Sequence, residues 1–164
     1  MSGGTIAERQ QALLVSRLQE IRVANGYLSD MGANVHQERT TFDDAENLPL
    51  LNVQFVSETG EGNYGSERVQ INRTFRVEIY RGGTGERMVA HLQDVKRAVM
   101  SYASRRKFAD DDGSVGELTY IGTDAVTADI DGEKVSGIAA LFRIFCPFHS
   151  QVHGTQTGLT VCLR

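Results

Sequence analysis

A thirteen-residue run from Arg68 to Tyr80, RVQINRTFRVEIY, constrains the fold of this 164-residue chain more than any other stretch. Apolar residues hold one parity and polar residues the other, and only Arg73 breaks the apolar row. The pattern predicts one strand of about 40 Å at roughly 3.3 Å per residue, more than twice the usual length. A single compact domain is too small to cover such a strand, so we expect part of it to leave the body as a hairpin arm.

Two amphipathic helices are predicted around the strands. The first is expected over about Thr5 to Asn25, because Thr5 and Glu8 fit a capping box and leucines then recur at helical spacing. The second begins near Glu86 and carries a single apolar stripe. Its basic end, reaching Lys107, suits the helix dipole.

The remaining segments are predicted as strands. They are Val35 to about Arg39, residues 50–56, Glu117 to about Ala128, and Ser136 to Phe145, which Pro147 ends. The last is apolar on both parities, so it is expected to be central in the sheet or covered by another subunit. Residues 41–49 are expected to form a loop. Asp131 and Gly132 predict a tight hairpin turn, and Gly122 predicts a β-bulge.

The predicted order is therefore α-β-β-β-α-β-β. Short turns between neighbouring strands favour antiparallel pairing, so we expect an α+β fold with a mostly antiparallel sheet. The two amphipathic helices are expected to pack on one face of that sheet. The prediction assigns one domain to residues 1–148, with a hairpin arm at about 56–68, and a separate C-terminal tail at 149–164.

The composition and charge exclude several classes of protein. Hydrophobic residues make up 40% of the chain and charged residues 23%, a balance typical of globular domains. The net charge of -4 supplies no basic field that would hold nucleic acid as a main partner. No apolar run reaches membrane-spanning length, and the first residues do not form a signal peptide, so we expect no membrane contact and synthesis in a cytoplasm.

The stretch GEGNYG, Gly60–Gly65, matches the spacing of a dinucleotide-binding loop. Such a loop opens a helix, because the pyrophosphate binds at a helix N-terminus. Here the glycines lie between two predicted strands, and Glu58, Glu61 and Glu67 around them would repel phosphate. The stretch is therefore interpreted as a hairpin tip, where glycine and Asn63 supply turn conformations.

Candidate metal ligands and catalytic groups are few. Four residues near the C-terminus are types that zinc accepts: Cys146, His149, His153 and Cys162. Because the histidines fall on a polar tail and Cys146 in a strand, the set is interpreted as surface and core residues. No nucleophile-elbow motif occurs. We predict no metal, no cofactor and no catalytic residue.

Two residues point to contact with another protein chain. Arg73 lies in an apolar strand row, where an arginine needs a partner or an interface; a snorkelling arginine at the sheet edge is the alternative. Tyr64 places an aromatic ring at the predicted hairpin tip. The predicted interface consists of charged and polar residues of the hairpin: Glu58, Glu61, Asn63, Tyr64, Glu67, Arg68, Arg73 and Arg76.

Three stretches of the chain carry a family resemblance: IRVANGYLSDMGANVH, LPLLNVQF and RTFRVEIY. Together with the element order, they resemble tail terminator and tail completion proteins of long-tailed bacteriophages and prophages. In that family the first helix commonly leads into an Asn-Gly-Tyr-x-(Ser/Thr)-Asp-x-Gly turn. Matching residues here are Asn25, Gly26, Tyr27, Ser29, Asp30 and Gly32. The likeness covers roughly Ala12 to Ser104, and the tail from His149 has no counterpart in it.

The resemblance implies a structural virion protein that forms a homo-hexameric ring on the last ring of tail-tube protein. Such a ring ends tube polymerisation and presents a surface to the head connector, or neck, protein, while DNA passes through as cargo. It implies assembly in the host bacterial cytoplasm and a final place at the head–tail junction. Extended β-arms in such proteins reach a neighbouring subunit, as a hairpin does when it adds to a free sheet edge.

Two alternatives remain open at this point. The first is a neck or head–tail connector protein, which belongs to the same assembly. The second is a small ligand- or metal-binding enzyme that uses the glycine stretch or the four zinc-type residues.

Overall fold

A computed structural model describes residues 5–42, 49–61, 68–80, 85–100, 107–111 and 113–149. The helices are α1 (Ile6–Gln19) and α2 (Glu86–Met100), and two 3-10 turns cover Val23–Asn25 and Met31–Ala33. The strands are β1 (Val35–Gln37), β2 (Thr41–Phe42), β3 (Leu50–Glu61), β4 (Arg68–Tyr80), β5 (Lys107–Asp110), β6 (Gly113–Ile130) and β7 (Glu133–His149). None of the helices in the described part of the chain is long and apolar enough to cross a membrane.

Helix α1 begins at the predicted capping box but ends earlier than expected. The Thr5 hydroxyl accepts a hydrogen bond from the Glu8 amide at 3.3 Å, and the Glu8 carboxylate accepts one from the Thr5 amide at 2.6 Å. The prediction of a helix to Asn25 is wrong, because the last helical residue is Gln19. Beyond it the chain tightens into a 3-10 turn that closes at Gly26, whose φ of 82° is a left-handed conformation that stops the turn.

The strands form one sheet in the order β1-β3-β4-β7-β6-β2, with β5 added to β6. The four long strands pair antiparallel, whereas the short β1 and β2 join the two edges in parallel. Helices α1 and α2 pack on one face, so the α+β class and the mostly antiparallel sheet are confirmed. The predicted hairpin turn at Asp131–Gly132 and the bulge beside Gly122 are also present.

Three predicted boundaries are wrong, each because of a non-local pairing. Residues 41–42 form β2 rather than loop, since they pair with the end of β6. Lys107 belongs to β5, opposite Glu117, and not to the end of the second helix. Strand β7 passes through Pro147 to His149, because beyond Phe145 the described strands pair with it only on the β4 side. Proline has no backbone N–H to donate, so it is tolerated in a strand where one side has no partner strand.

The long strand β4 is paired along its whole length. Strand β3 lies beside it from the Leu50–Tyr80 pair to the Glu61–Gln70 pair, so the extended hairpin is present. On its other side β7 pairs with β4 as far as the Arg68–His149 pair. The hairpin is thus not a free two-stranded ribbon, and a third strand supports its far end.

The sheet is rolled at the end opposite the hairpin tip. Gln37 ends β1 at one edge and Thr41 begins β2 at the other, and the chain between them spans at most about 14 Å. A flat sheet would separate these edge strands by roughly 24 Å, at about 4.8 Å per neighbouring pair. The two edges therefore curve toward each other, on the face away from the helices.

Two apolar cores result from this shape. The larger lies between the helices and the sheet and includes Leu14, Leu18, Val77, Val99 and Phe142. The smaller lies inside the roll, on the opposite face, and consists of Phe42, Leu50, Tyr80, Val126, Ala128, Ile130 and Ala139. The segment that carries Phe42 covers a sheet face that would otherwise meet water.

Candidate assembly surface

The outer edge of β3 is the exposed part of the extended hairpin. Strand β1 pairs with β3 only from Leu51 to Val53, and the Phe55 amide then donates to the Glu38 carboxylate at 2.7 Å. From Val56 to Glu61, no strand among the described residues pairs with this edge. Unpaired backbone groups along an edge are a template for another chain.

Arg73 and Glu58 are brought together on the helix side of the hairpin. They are ladder partners in β4 and β3, and Arg73 Nε donates to Glu58 Oε2 at 2.5 Å. Arg73 Nη1 lies 3.4 Å from Gln10 Oε1, and Gln10 Nε2 donates to the Val115 carbonyl at 2.7 Å. The Arg73 side chain is only 12% exposed, whereas that of Glu58 is 46% exposed. This geometry assigns the Arg73 guanidinium a partner within its own chain.

Arg76 lies on the other face of the sheet, in a polar cluster. Its Nη2 donates to Gln54 Oε1 at 2.6 Å, and its Nε lies 2.9 Å from Glu78 Oε1, as an ion pair without hydrogen-bond alignment. The buried Glu78 carboxylate also accepts from Asn52 Nδ2 at 2.7 Å. Burial, and then the neighbouring Glu78 carboxylate, raise the pKa of the Tyr80 hydroxyl.

This polar cluster holds the crossing between β1 and β2. Asn52 Nδ2 donates to the Arg39 carbonyl at 2.8 Å, and the Arg39 amide donates back to Asn52 Oδ1 at 3.3 Å. Gln54 Nε2 reaches the same carbonyl at 3.1 Å. The polar residues Asn52 and Gln54 of β3 therefore hold the rolled edge in place through the backbone of Arg39. The sequence pattern did not reveal this role.

The other predicted interface residues are not gathered into a described site. Glu61 and Arg68 lie in β3 and β4, where only their backbone is described. Asn63, Tyr64 and Glu67 lie outside the described residues.

A row of four aromatic residues crosses the sheet on the helix side. Phe55 pairs with Phe75, Phe75 with Phe142, and Phe142 with Tyr120, so the row runs from the β3 edge to the β6 edge. Ring centroids are 5.8 Å apart for Phe55 and Phe75, and 5.7 Å apart for Tyr120 and Phe142. The sequence shows four aromatics, but their shared row depends on strand register that it does not reveal.

Each end of the aromatic row carries a bulge and an exposed apolar side chain. The β3–β4 ladder shifts register between Phe55 and Ser57, which leaves Val56 as the extra residue. The β6–β7 ladder shifts between Tyr120 and Gly122, which leaves Ile121. Phe55 is 45% exposed, and Val56 and Ile121 are each 44% exposed. Gly122 was the one sequence signal for the second bulge.

The edge of β6 beside this bulge has no strand partner among the described residues. Within the described chain, β5 pairs with β6 only as far as Glu117, and β2 pairs only with Asp129 and Ile130. Lys96, on α2, places its ammonium 5.0 Å from the centre of the Tyr120 ring. The β6 edge thus presents the exposed Ile121, and the Lys96 ammonium lies over the neighbouring Tyr120 ring.

The turn that carries the family resemblance ties α1 to α2. Arg97 Nη1 donates to the Gly26 carbonyl at 2.8 Å, and its guanidinium carbon stacks 4.7 Å from the Tyr27 ring centre. The Leu28 amide donates to Asp94 Oδ2 at 2.8 Å. Each contact joins the turn to the second helix.

The second half of this turn closes on the end of α1. Asp30 Oδ1 accepts from the Val23 amide at 2.9 Å. Gly32 sits so close to the helix that an added Cβ would lie 2.6 Å from the Leu18 carbonyl oxygen. These residues position the helices.

The described residues contain no cluster of three or more residues able to hold a metal ion. Cys146 is buried on β7, and His149 ends the same strand. His153 and Cys162 lie outside the described residues.

A groove of about 600 Å³ runs between α1 and β5, where the Arg9 guanidinium pairs with the Asp110 carboxylate.

No protein family model matches this chain, and no curated protein sequence matches it.

Proposed function

We propose that this protein is a structural component of a phage or prophage virion that assembles into a homo-hexameric ring. In this proposal the ring caps the tail tube, ends its polymerisation and offers the surface to which the head connector binds. DNA passes through as cargo, and the final location is the head–tail junction. The assignment to this family comes from the motif resemblance of residues 25–32 and of the strands that follow.

One observation carries the assembly part of the proposal. The extended β3–β4 hairpin ends in an outer edge, Val56 to Glu61, that no described strand covers. The hairpin is stiffened by β7 on its inner side, so its edge is held in place and not left as a loose ribbon. Such an edge accepts a strand of another chain without a large loss of conformational entropy.

A ring also requires two different patches on each subunit, because a heterologous interface repeats around a closed cycle. In this proposal the second patch is the β6 edge, which differs from the β3 edge in sequence and side chains and has no described strand partner between Glu117 and Asp129. The mild negative charge keeps free subunits soluble before assembly.

Tube polymerisation with and without the protein tests the proposal. The tail-tube protein of the same virion is allowed to polymerise, and tube lengths are measured by negative-stain electron microscopy. We expect substoichiometric protein to stop elongation and to add one ring at a single tube end, built from six 18.0 kDa subunits. Unchanged tube length with no end density would contradict tube capping, and binding to the head connector alone would indicate a neck protein instead.

A further inference from the structure

The two ends of the aromatic row lie at the same level of the sheet. Phe55, at the β3 edge, and Tyr120, at the β6 edge, are linked by direct ladder partners through Phe75 and Phe142. Four strands at about 4.8 Å spacing place the two edges roughly 14 Å apart. Beside each end, a bulge turns one apolar side chain to solvent.

We propose that the subunits of the ring join edge to edge, with the β3 edge of one copy against the β6 edge of the next. Phe55 and Val56 of one copy pack on Tyr120 and Ile121 of its neighbour, so the aromatic row continues from subunit to subunit. This inference rests on the proposed ring and names the surface that closes it.

Strand direction favours this pairing. From β3 to β6 the sheet passes through three antiparallel pairs, so β3 and β6 run in opposite directions. If the strands run along the ring axis, rotation about that axis keeps those directions, and the joined β6 and β3 edges meet antiparallel. The new pair repeats the pattern of the sheet on either side of it.

The shared level of the two edges favours a closed ring over a filament. A join between edges at different heights would shift each copy along the strands and generate a helix. Because Phe55 and Tyr120 lie in one row, a neighbour can dock with little shift along the strands. An assembly that stops growth needs this property, since a filament would continue.

Charge also distinguishes the two edges. On the helix side the β3 edge carries Glu58, and the β6 edge has the Lys96 ammonium over Tyr120. Joining β3 to β6 brings the carboxylate and the ammonium to the same side of the new interface. Joining two β3 edges would instead bring together two Glu58–Arg73 ion pairs and supply no further cation, and joining two β6 edges would bring together two copies of Lys96.

Two single substitutions test the pairing, V56K on one edge and I121K on the other. Each residue is 44% exposed, so both variants are expected to fold, and V89K on α2, where the valine is 58% exposed, serves as the control. Mass is measured by sedimentation or light scattering. We expect V89K to assemble as wild type does, and each edge variant alone to be monomeric.

Mixing the two edge variants gives the decisive result. V56K retains an intact β6 edge and I121K an intact β3 edge, so an equimolar mixture should form a heterodimer of twice the subunit mass and stop there. A mixture that stays monomeric, or an edge variant that assembles alone, overturns the edge pairing while the ring proposal stands. If wild type assembles only on tube ends, the variants are assayed there, and capping by V56K or I121K at the wild-type level overturns the pairing. Wild-type protein that neither assembles nor caps tubes overturns both proposals.

Discussion

Arg73 Nε donates to Glu58 Oε2 at 2.5 Å across the β3–β4 ladder, on the side of the sheet that α1 covers. The side chain that breaks the apolar row of β4 is therefore satisfied by a strand partner and approached by Gln10 of α1. An arginine with so little exposure needs these acceptors, because an unpaired guanidinium under a helix is costly. The contact accounts for Arg73 within the fold, while its predicted role at an interface stays a prediction.

A double-mutant cycle measures this contact. We expect E58Q and R73Q each to lower the free energy of unfolding of the monomer. The double variant should lower it by less than the sum of the two single changes. The coupling should be about 1 kcal/mol, since Glu58 is 46% exposed and solvent screens the pair. Chemical denaturation at low and high salt provides the measurement, with the coupling reduced at 1 M salt. Zero coupling in both conditions would show that the pair does not contribute to folding.

Gly32 is predicted to be irreplaceable at the end of α1. A Cβ at this position would lie 2.6 Å from the carbonyl oxygens of Gln19 and Leu18 and 2.7 Å from that of Ile21, and none of these backbone atoms can move away cheaply. We expect G32A to lower the free energy of unfolding by about 2–3 kcal/mol. The neighbouring exposed Ala33 supplies the control, because A33S should leave stability within about 0.5 kcal/mol. Equal stability of G32A and A33S in urea would contradict the close packing.

Asp94 is predicted to hold the turn to α2 through a single acceptor. Its side chain is buried, and its Oδ2 accepts from the Leu28 amide at 2.8 Å. Removing the acceptor in D94A leaves that amide unsatisfied and should cost about 1–3 kcal/mol. D94N keeps an oxygen at the same place and should cost clearly less. Hydrogen exchange of the Leu28 amide separates the two variants, with faster exchange expected in D94A only.

Alternation of apolar and polar residues was enough to predict β4, helical spacing to predict the two helices on one face, and short turns to predict the antiparallel hairpins. These features depend on residues close in sequence, such as Asp131 and Gly132 at the turn or Thr5 and Glu8 at the cap. The strands β2 and β5 were missed because they are two and four residues long and exist only through pairing with β6. No local pattern indicates that a short strand will pair with another far along the chain.

The candidate surface was only partly predicted, because non-local strand pairing also decides which of its residues meet. The sequence indicated the hairpin, Glu58 and Arg73, but not that the two residues face each other, since their pairing depends on the bulge at Val56. The aromatic row and the β6 edge require the register of three ladders at once. Local patterns specify which residues are apolar, and register decides which of them meet.

Tyr80 is predicted to make stability depend on alkaline pH. The pKa of its hydroxyl is raised above 10.0 in the fold by burial and by the Glu78 carboxylate, so the folded state keeps a proton that the unfolded state loses. The stabilisation is present below pH 10 and is lost as pH rises above it. In that range wild type should lose up to about 1.4 kcal/mol per pH unit more than Y80F, which has no hydroxyl to titrate. Urea denaturation of both proteins from pH 8 to 11 gives the comparison, and parallel curves would contradict the shift.

Deleting Gly60–Ser66 is predicted to separate folding from assembly. Thr59 and Asn72 are ladder partners, and the deletion leaves only residues 67–71 between them, a length that still closes a hairpin. The apolar cores lie elsewhere, so the thermal midpoint of the monomer should fall by no more than a few degrees. Assembly should nevertheless be weakened, because the deletion shortens the β3 edge beyond Thr59 and removes Asn63 and Tyr64.

A second variant distinguishes the length of the edge from the side chains at the tip. N63S/Y64S keeps the full hairpin, and it should assemble normally if backbone pairing along β3 provides the contact, or fail if the Tyr64 ring does. Ring formation on tube ends, counted by electron microscopy, is the readout for both variants. Wild-type capping by the deletion variant would show that residues 60–66 make no essential contact, because the variant lacks them.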